Sequence, residues 1–344
     1  MGGNASTPSS SNYVLIIGSI GIDQTIFSED IPKYGEINKG RIIKNPGGKG
    51  NNEAIACARA GGETIFIGVV GDDLDKYLTQ KLEEDNVSPV LKVKKNVETH
   101  CAHIIIGPNG QSKIVVNPGA DYYLDKNYIN ENQRYIDNAS IVMFQLEIPI
   151  ETVEYGINIS YDKKKIIILR PSPADQLKDK DKDEDKDKDE DKDKDEDKDK
   201  DKDKVKENII KKVTYLITNK SELGAISGMP TNDERQIDEA CKNIMDRGAK
   251  NLIVPLGSKG CILWNKDGKK EYPSYITDNA KDYTGYVDCF IGVFAAFLSK
   301  NYSLDEAIKY ANLAASISVT IVGTISSYPK LEGIKNKKDK IKNW

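Results

Sequence analysis

Lys49, Asn51 and Asn52 follow two adjacent glycines in the run Asn45-Pro46-Gly47-Gly48-Lys49-Gly50-Asn51-Asn52-Glu53. Gly47 and Gly48 let the backbone approach a ligand without Cβ clashes, and the three polar side chains supply donors and acceptors where a helix begins. That chemistry suits a small polyhydroxylated ligand; the other reading is a tight strand-to-helix connection. The run lacks the Gly-x4-Gly-Lys-Ser/Thr order of a P-loop. It is also a poor dinucleotide fingerprint, because the preceding Arg41-Ile42-Ile43-Lys44 is amphipathic rather than apolar.

A second cluster, Asp282-Tyr283-Thr284-Gly285-Tyr286-Val287-Asp288-Cys289-Phe290, opens an apolar helix. A glycine turn there presents free backbone N–H groups and the positive end of the helix dipole to a phosphate or to developing negative charge. Asp288 stands at the same helix start, where it is either a reactive carboxylate or a plain N-cap. Asn219-Lys220-Ser221-Glu222 sets an amide and a carboxylate three residues apart, a spacing that suits a hydrated Mg2+ beside phosphates or a capping arrangement. Leu256-Gly257-Ser258-Lys259-Gly260 adds another glycine turn after a strand-like run.

The elements that must position these groups alternate in type. Apolar runs at Tyr13–Gly18, Thr64–Gly71, Ile141–Gln145, Lys165–Leu169, Thr214–Thr218 and Asn251–Pro255 read as strands buried on both faces. Helical segments at Asp73–Asn86, Ile150–Ser160, Asn232–Arg247 and Leu304–Val322 separate or follow them, which predicts an α/β fold built on a mainly parallel sheet covered on both faces. Residues 23–45 and 99–117 break the alternation as strand pairs, the second turning at Gly107-Pro108-Asn109-Gly110, and are expected to form a small β lid. Ligands of open α/β sheets bind beyond the carboxyl ends of the strands, where such a lid would close.

Composition narrows the function classes. The 50 basic and 54 acidic residues nearly cancel, and the Lys/Asp/Glu run from 178 to 204 has no apolar residue, so it is expected to be a disordered insert, an isolated charged helix being the other reading. Its alternating signs give no sustained basic patch, which argues against nucleic acid. Five cysteines without CxxC pairing and only two histidines argue for a reducing, cytoplasmic setting and against a His/Cys metal site. His100 and His103, three apart in a strand-like segment, are expected to be solitary polar residues on opposite faces. No stretch reaches the ~20 apolar residues of a membrane span. The leader, residues 1–12, begins Met1-Gly2-Gly3-Asn4-Ala5-Ser6, which fits an N-myristoylation pattern at Gly2 that would give weak, reversible membrane association.

Taken together and in order, Gly18-Ser19-Ile20-Gly21-Ile22-Asp23, the Gly47–Asn52 turn, Phe144-Gln145-Leu146-Glu147, Asn219-x-x-Glu222, Leu256–Gly260 and Asp282–Phe290 resemble the ribokinases of the PfkB-type carbohydrate kinase family. The resemblance covers residues 13–329, leaving 330–344 as a tail, and implies a three-layer α/β sandwich whose β lid often clasps a second subunit, hence a homodimer. It implies ATP-dependent phosphorylation of a pentose, D-ribose to D-ribose 5-phosphate, with Asp288 as the base on the sugar's 5-hydroxyl and the N–H groups about Gly285 as an anion hole. Asp23, Gly47, Gly48, Lys49, Asn52 and Glu147 would hold the sugar, and Asn219, Gly257, Ser258, Gly260 and Asn312 the nucleotide. Glu222 would organise Mg2+, while Asp282, Thr284, Gly323 and Ser327 would hold a monovalent cation, commonly K+.

The chain also departs from the family's pattern. Gly285-Tyr286-Val287-Asp288 stands for Gly-Ala-Gly-Asp, which predicts a crowded phosphate turn, since valine does not readily take a positive φ. Losing one anion-hole donor would lower turnover by about two to three orders of magnitude. Gly21 replaces a sugar-contacting asparagine, Arg170 the asparagine of an Asn-Pro-x-Pro turn, and Pro255 a nucleotide-side residue. Two alternatives to a ribose kinase therefore stand: a family kinase for another sugar or a nucleoside, and a catalytically weak sugar-binding protein.

Overall fold

The structure, a computed structural model, describes residues 12–108, 111–177, 195–275 and 279–341, and for 195–203 only the backbone path. The myristoylation pattern at Gly2, the hairpin tip at Asn109-Gly110 and the charged run from 178 to 194 lie outside the described residues.

In chain order the strands are β1 (Val14–Ile17), β2 (Gly21–Ser28), β3 (Gly40–Gly47), β4 (Thr64–Gly71), β5 (Val87–Lys94), β6 (His100–Ile106), β7 (Ser112–Asn117), β8 (Ile141–Phe144), β9 (Ile166–Leu169), β10 (Tyr215–Ile217), β11 (Asn251–Pro255), β12 (Cys261–Asn265) and β13 (Gly268–Tyr272). Nine form one sheet, β13-β12-β11-β10-β9-β8-β1-β4-β5, parallel except for the two antiparallel edge strands β12 and β13. Aliphatic residues fill both faces of the central strands, as the apolar runs require. Val14 and Ile16 face the core that includes Ile55 and Phe290, whereas Leu15 and Ile17 face the core that includes Phe144 and Ile157. From β1 the chain builds outward through β4 and β5 on one side and, later, through β8 to β11 on the other. The carboxyl edge near this reversal is where an open α/β sheet forms a crevice.

The two departures from alternation pair as expected. They form a separate four-stranded sheet, β3-β2-β6-β7, with β2 parallel to β6 and the outer pairs antiparallel. Its register sets Gly21 opposite both Gly47 and His100, so the Gly47–Gly48 turn and the start of β6 meet at the root of the lid. Ile42, Ile114, Val115 and Val116 are exposed on it.

One expectation needs correction. Residues 195–204 of the charged run are not a disordered loop but the opening turns of a helix, Asp195–Lys212. Its far end buries Ile209 and Ile210 in the second core, and a helix anchored there can propagate back through a segment that has no apolar face of its own. The tail beyond 329 likewise carries a helix, Leu331–Lys338, held to the first core by the buried Ile334.

Two helices on the first core matter most for chemistry: Lys49–Arg59 carries Asn52 near its start, and Tyr286–Ser299 carries Asp288 near its own. They pack closely at Gly292, where an added Cβ would lie 2.4 Å from the Glu53 carbonyl oxygen and 2.7 Å from Ala56 Cβ. Gly292→Val is therefore expected to lower unfolding stability by about 1–3 kcal/mol, the range for overpacking a tight core. Denaturant unfolding checks the value, and an unchanged midpoint would contradict this packing.

Candidate active site

The carboxyl ends of the parallel strands deliver the polar groups. Ser19 follows β1, Glu147 follows β8, Arg170 follows β9, Asn219 follows β10 and Gly257 follows β11. The strand runs are apolar because they are buried on both faces; their polar continuations lie just beyond the carboxyl ends of the strands.

On the lid side the site is organised around Glu147. Its Oε2 accepts from the Lys49 backbone N–H at 2.8 Å and from the Ser19 hydroxyl at 2.5 Å, and its Oε1 meets Lys49 Nζ at 2.6 Å. Burial alone would raise the Glu147 carboxyl, but the Lys49 ammonium, His100 and the Lys49 N–H outweigh it and bring it down to about 2. Asp23 lies against Gly47, where a Cβ would stand 2.3 Å from Asp23 Oδ1, so this glycine is required by close approach. Burial and the neighbouring Glu147 push Asp23 up to about 6. The structure thus gathers Asp23, Gly47, Gly48, Lys49 and Glu147 into one wall with separated charge states.

Behind that wall His100 is not solitary. Its Nδ1 lies 2.9 Å from Asp121 Oδ2, both residues are buried, and Asp121 Oδ1 accepts the Ile20 N–H at 3.2 Å. Burial pushes Asp121 up to about 7; burial opposes protonation of His100, yet the hydrogen bond and charge of Asp121 hold the imidazole above its ordinary value. The same histidine explains Gly21: a Cβ there would sit 2.1 Å from the His100 carbonyl oxygen, leaving no room for a side chain. Sequence alternation showed which face His100 occupies but not its partner 21 residues on.

On the other side Asp288 is buried in the first turn of Tyr286–Ser299. The left-handed residue is Gly285, at φ 72°, whose carbonyl accepts the Tyr328 hydroxyl at 3.1 Å; a Cβ there would meet Thr324 Cγ2 at 2.4 Å. Val287 lies inside the helix with its side chain in the core, so the expected conflict between valine and a positive φ does not arise. Tyr286 packs edge-on against Tyr283, their ring centroids 5.8 Å apart. The first-turn N–H groups keep the positive end of the helix dipole beside Asp288.

Asp288 does not stand free. Asn52 Nδ2 donates to its Oδ2 at 3.3 Å, and Arg170 Nη1 donates to its Oδ1. The same guanidinium reaches Glu222 Oε1 through Nε at 3.3 Å and Nη2 at 3.1 Å. Glu222 Oε2 takes the Asn219 N–H at 2.9 Å, while Asn219 Oδ1 accepts the Glu222 N–H at 2.7 Å, a complete capping box. Burial opposes the charge on Arg170, but Glu222 and Glu53 outweigh it and raise its pKa. Arg170, which motif reading set aside as a departure, is the residue that joins the two carboxylates; a charged residue at the end of an all-apolar strand was the available signal.

The turn expected on the nucleotide side forms a short 3-10 segment, Gly257–Lys259, closed by Gly260 and adjoining Tyr283. Asn312 Nδ2 is committed to the Pro273 carbonyl at 2.6 Å. Asp282 accepts the N–H groups of Thr284 and Gly323, each at 2.8 Å; burial opposes these bonds but loses to them, and its carboxyl is held below the ordinary range. Ser327 is close in sequence to Gly323, but its hydroxyl donates to the Thr324 carbonyl at 2.7 Å. No group of three or more His, Cys, Asp or Glu side chains among the described residues is placed to hold a metal ion.

A profile of the pfkB family carbohydrate kinases matches residues 11–183 and 187–331. The chain belongs to this family. It is 28% identical over 323 residues to a deoxyribokinase of Salmonella typhi, covering 93% of this chain and 96% of that one. It is 26% identical over 317 residues to the ribokinase of Haemophilus influenzae, covering 91% and 94%. Among solved structures, the ribokinase of Thermotoga maritima superposes with a TM-score of 0.78 at 28% identity over 95% of this chain and 99% of that one. The Arabidopsis thaliana ribokinase, solved with ribose and ATP, shares the fold with a TM-score of 0.79 at 24% identity, over 94% and 98%. The chain is accordingly a sugar kinase of the ribokinase fold, and the mixed lid over a mainly parallel sheet agrees with those neighbours.

One buried acid beneath the site titrates in a useful range. Glu53, fully buried, accepts from Gln145 Nε2, and burial pushes its carboxyl up to about 8 against the opposing pull of Arg170. A folded-state pKa above the unfolded 4.5 contributes stability that is full below 4.5 and is lost as pH rises through about 8. Glu53→Gln, which cannot ionise, should lose less stability than the parent between pH 5 and pH 8 in denaturant unfolding; parallel pH profiles would contradict a neutral Glu53.

Proposed function

We propose that this kinase transfers the γ-phosphoryl group of ATP to the 5-hydroxyl of a pentose, with D-ribose as the first candidate. Support comes from the wall of Asp23, Lys49 and Glu147, whose fixed charges and N–H groups suit sugar hydroxyls, and from Asn52, which links that wall to Asp288. In this reading Asp288 takes the hydroxyl proton as the oxygen attacks the γ-phosphorus. The γ-phosphorus–oxygen bond to the β-phosphate breaks as the new bond forms, and ADP leaves. The N–H groups from Gly285 to Asp288 meet the charge that develops on the phosphoryl oxygens. Gly257, Ser258, Gly260 and Asn312 line the nucleotide side, with Asn219 at the strand end between them and the sugar.

Kinases of this family use a divalent metal with ATP and often a monovalent cation. Asp282, anchored by the N–H groups of Thr284 and Gly323, offers oxygen ligands of the kind K+ takes, and a cation there would supply positive charge behind the phosphate turn. Glu222 fits Mg2+ poorly, since each of its oxygens already accepts from Asn219 or Arg170. A homodimer joined through the lid is supported by the exposed Ile42, Ile114, Val115 and Val116.

The contact between Arg170 and Asp288 favours a second reading, a sugar-binding protein with little turnover, because the base is engaged at both oxygens. The two part on one assay: ADP release from MgATP with K+ present, across D-ribose, 2-deoxy-D-ribose, other pentoses and nucleosides. Turnover that falls by about 10²–10⁴-fold in Asp288→Asn supports the kinase with Asp288 as base. Sugar binding without Asp288-dependent turnover on any compound overturns it in favour of the binding protein.

A further inference from the structure

Two carboxylates and one guanidinium share the phosphoryl-transfer end of the crevice, and all three are nearly buried: Arg170 8%, Asp288 5% and Glu222 6% exposed. Without the guanidinium this end would carry two buried negative charges facing an incoming polyphosphate. Such an arrangement is costly unless a cation intervenes. The protein provides one itself. Of the five N–H donors of Arg170, one points to Asp288 and two to Glu222. Tyr286 at the start of Tyr286–Ser299 lies near enough for the Arg170 charge to act on its hydroxyl. A guanidinium fork matches two phosphate oxygens at once, and one held by carboxylates can exchange a partner without leaving the site.

We propose that Arg170 serves as the kinase's resident cation at this end of the crevice. It neutralises Asp288 and Glu222 before substrates bind, then moves a donor from Asp288 to the terminal phosphate of the nucleotide, so that nucleotide anchoring does not depend on a divalent ion held by Glu222. The exchange forms and breaks only hydrogen bonds. It leaves Asp288 free to face the sugar hydroxyl as the phosphate arrives, which couples release of the base to occupancy of the donor site. Glu53, whose carboxyl burial pushes up to about 8, adds little negative charge beside Arg170 at neutral pH. The proposal rests on ATP as the phosphoryl donor.

Titration calorimetry of the full chain with ADP and with a non-hydrolysable ATP analogue, in Mg2+ and in excess EDTA, tests it. The parent should bind the analogue in EDTA within about threefold of its affinity in Mg2+. Arg170→Asn should lose at least tenfold in EDTA and recover most of that in Mg2+, and Arg170→Lys, which keeps the charge but not the fork, should fall between them. Parent binding that needs Mg2+, or Arg170→Asn binding unchanged in EDTA, overturns the proposal alone. Nucleotide binding absent from the parent in both buffers overturns the ATP-dependent reading and this proposal with it. The parent's two buffers require no substitution, so a variant that fails to fold still leaves the decisive comparison.

Discussion

A guanidinium lies between the carboxylates of Asp288 and Glu222 at the carboxyl edge of the sheet, and the site's other polar groups are arranged around that buried charge balance. Removing one partner of a buried ion pair typically costs about 3–5 kcal/mol, because the remaining charge is left without water or partner. Strand β9 must therefore end where it does, the helix Tyr286–Ser299 must begin at Gly285, and the capping box of Asn219 and Glu222 must present Glu222 Oε1 towards Arg170. Asn52 completes the arrangement from the opposite helix, which is held at close range by Gly292. The helix that carries Asn52 and the Arg170–Glu222 pair are thus connected through Asp288 rather than merely adjacent.

The two halves of the crevice handle charge differently. On the lid side Glu147 remains ionised because Lys49 surrounds it with an ammonium and an N–H, while Asp23 titrates near neutrality. His100 and Asp121 sit behind that wall and fix Ile20 and the root of the lid. The lid and Asp288 therefore hang on polar contacts that cross between the sheet, the lid and the helices, the kind of contact that a bound ligand can rearrange at modest cost.

Much of this was legible in the sequence. Apolar runs of five to eight residues announced the central strands because both faces of a parallel sheet are buried, and the two strand pairs that break the alternation with helices announced the lid. Glycine turns at Gly47 and Gly285 stood out in the sequence, and in the structure each is required by close approach of the protein itself, Asp23 at Gly47 and Thr324 and Tyr328 at Gly285. What sequence spacing could not show is pairing across distance. Arg170 reaches a carboxylate 118 residues away and another 52 away, and His100 finds a partner only when the lid root closes. The valine at 287 misled because motif comparison assigns a backbone conformation to a position, whereas here the left-handed turn falls at Gly285 and the helix has begun by Tyr286. The charged run misled in its second part because composition ignores the anchor that Ile209 and Ile210 give to its far end.

The most direct test is a crystal structure of the chain with D-ribose and a non-hydrolysable ATP analogue. The account predicts an Arg170 donor on the terminal phosphate, its contact with Glu222 retained, and Asp288 facing the sugar's 5-hydroxyl. Arg170 still paired with Asp288 while the terminal phosphate is held elsewhere would contradict it.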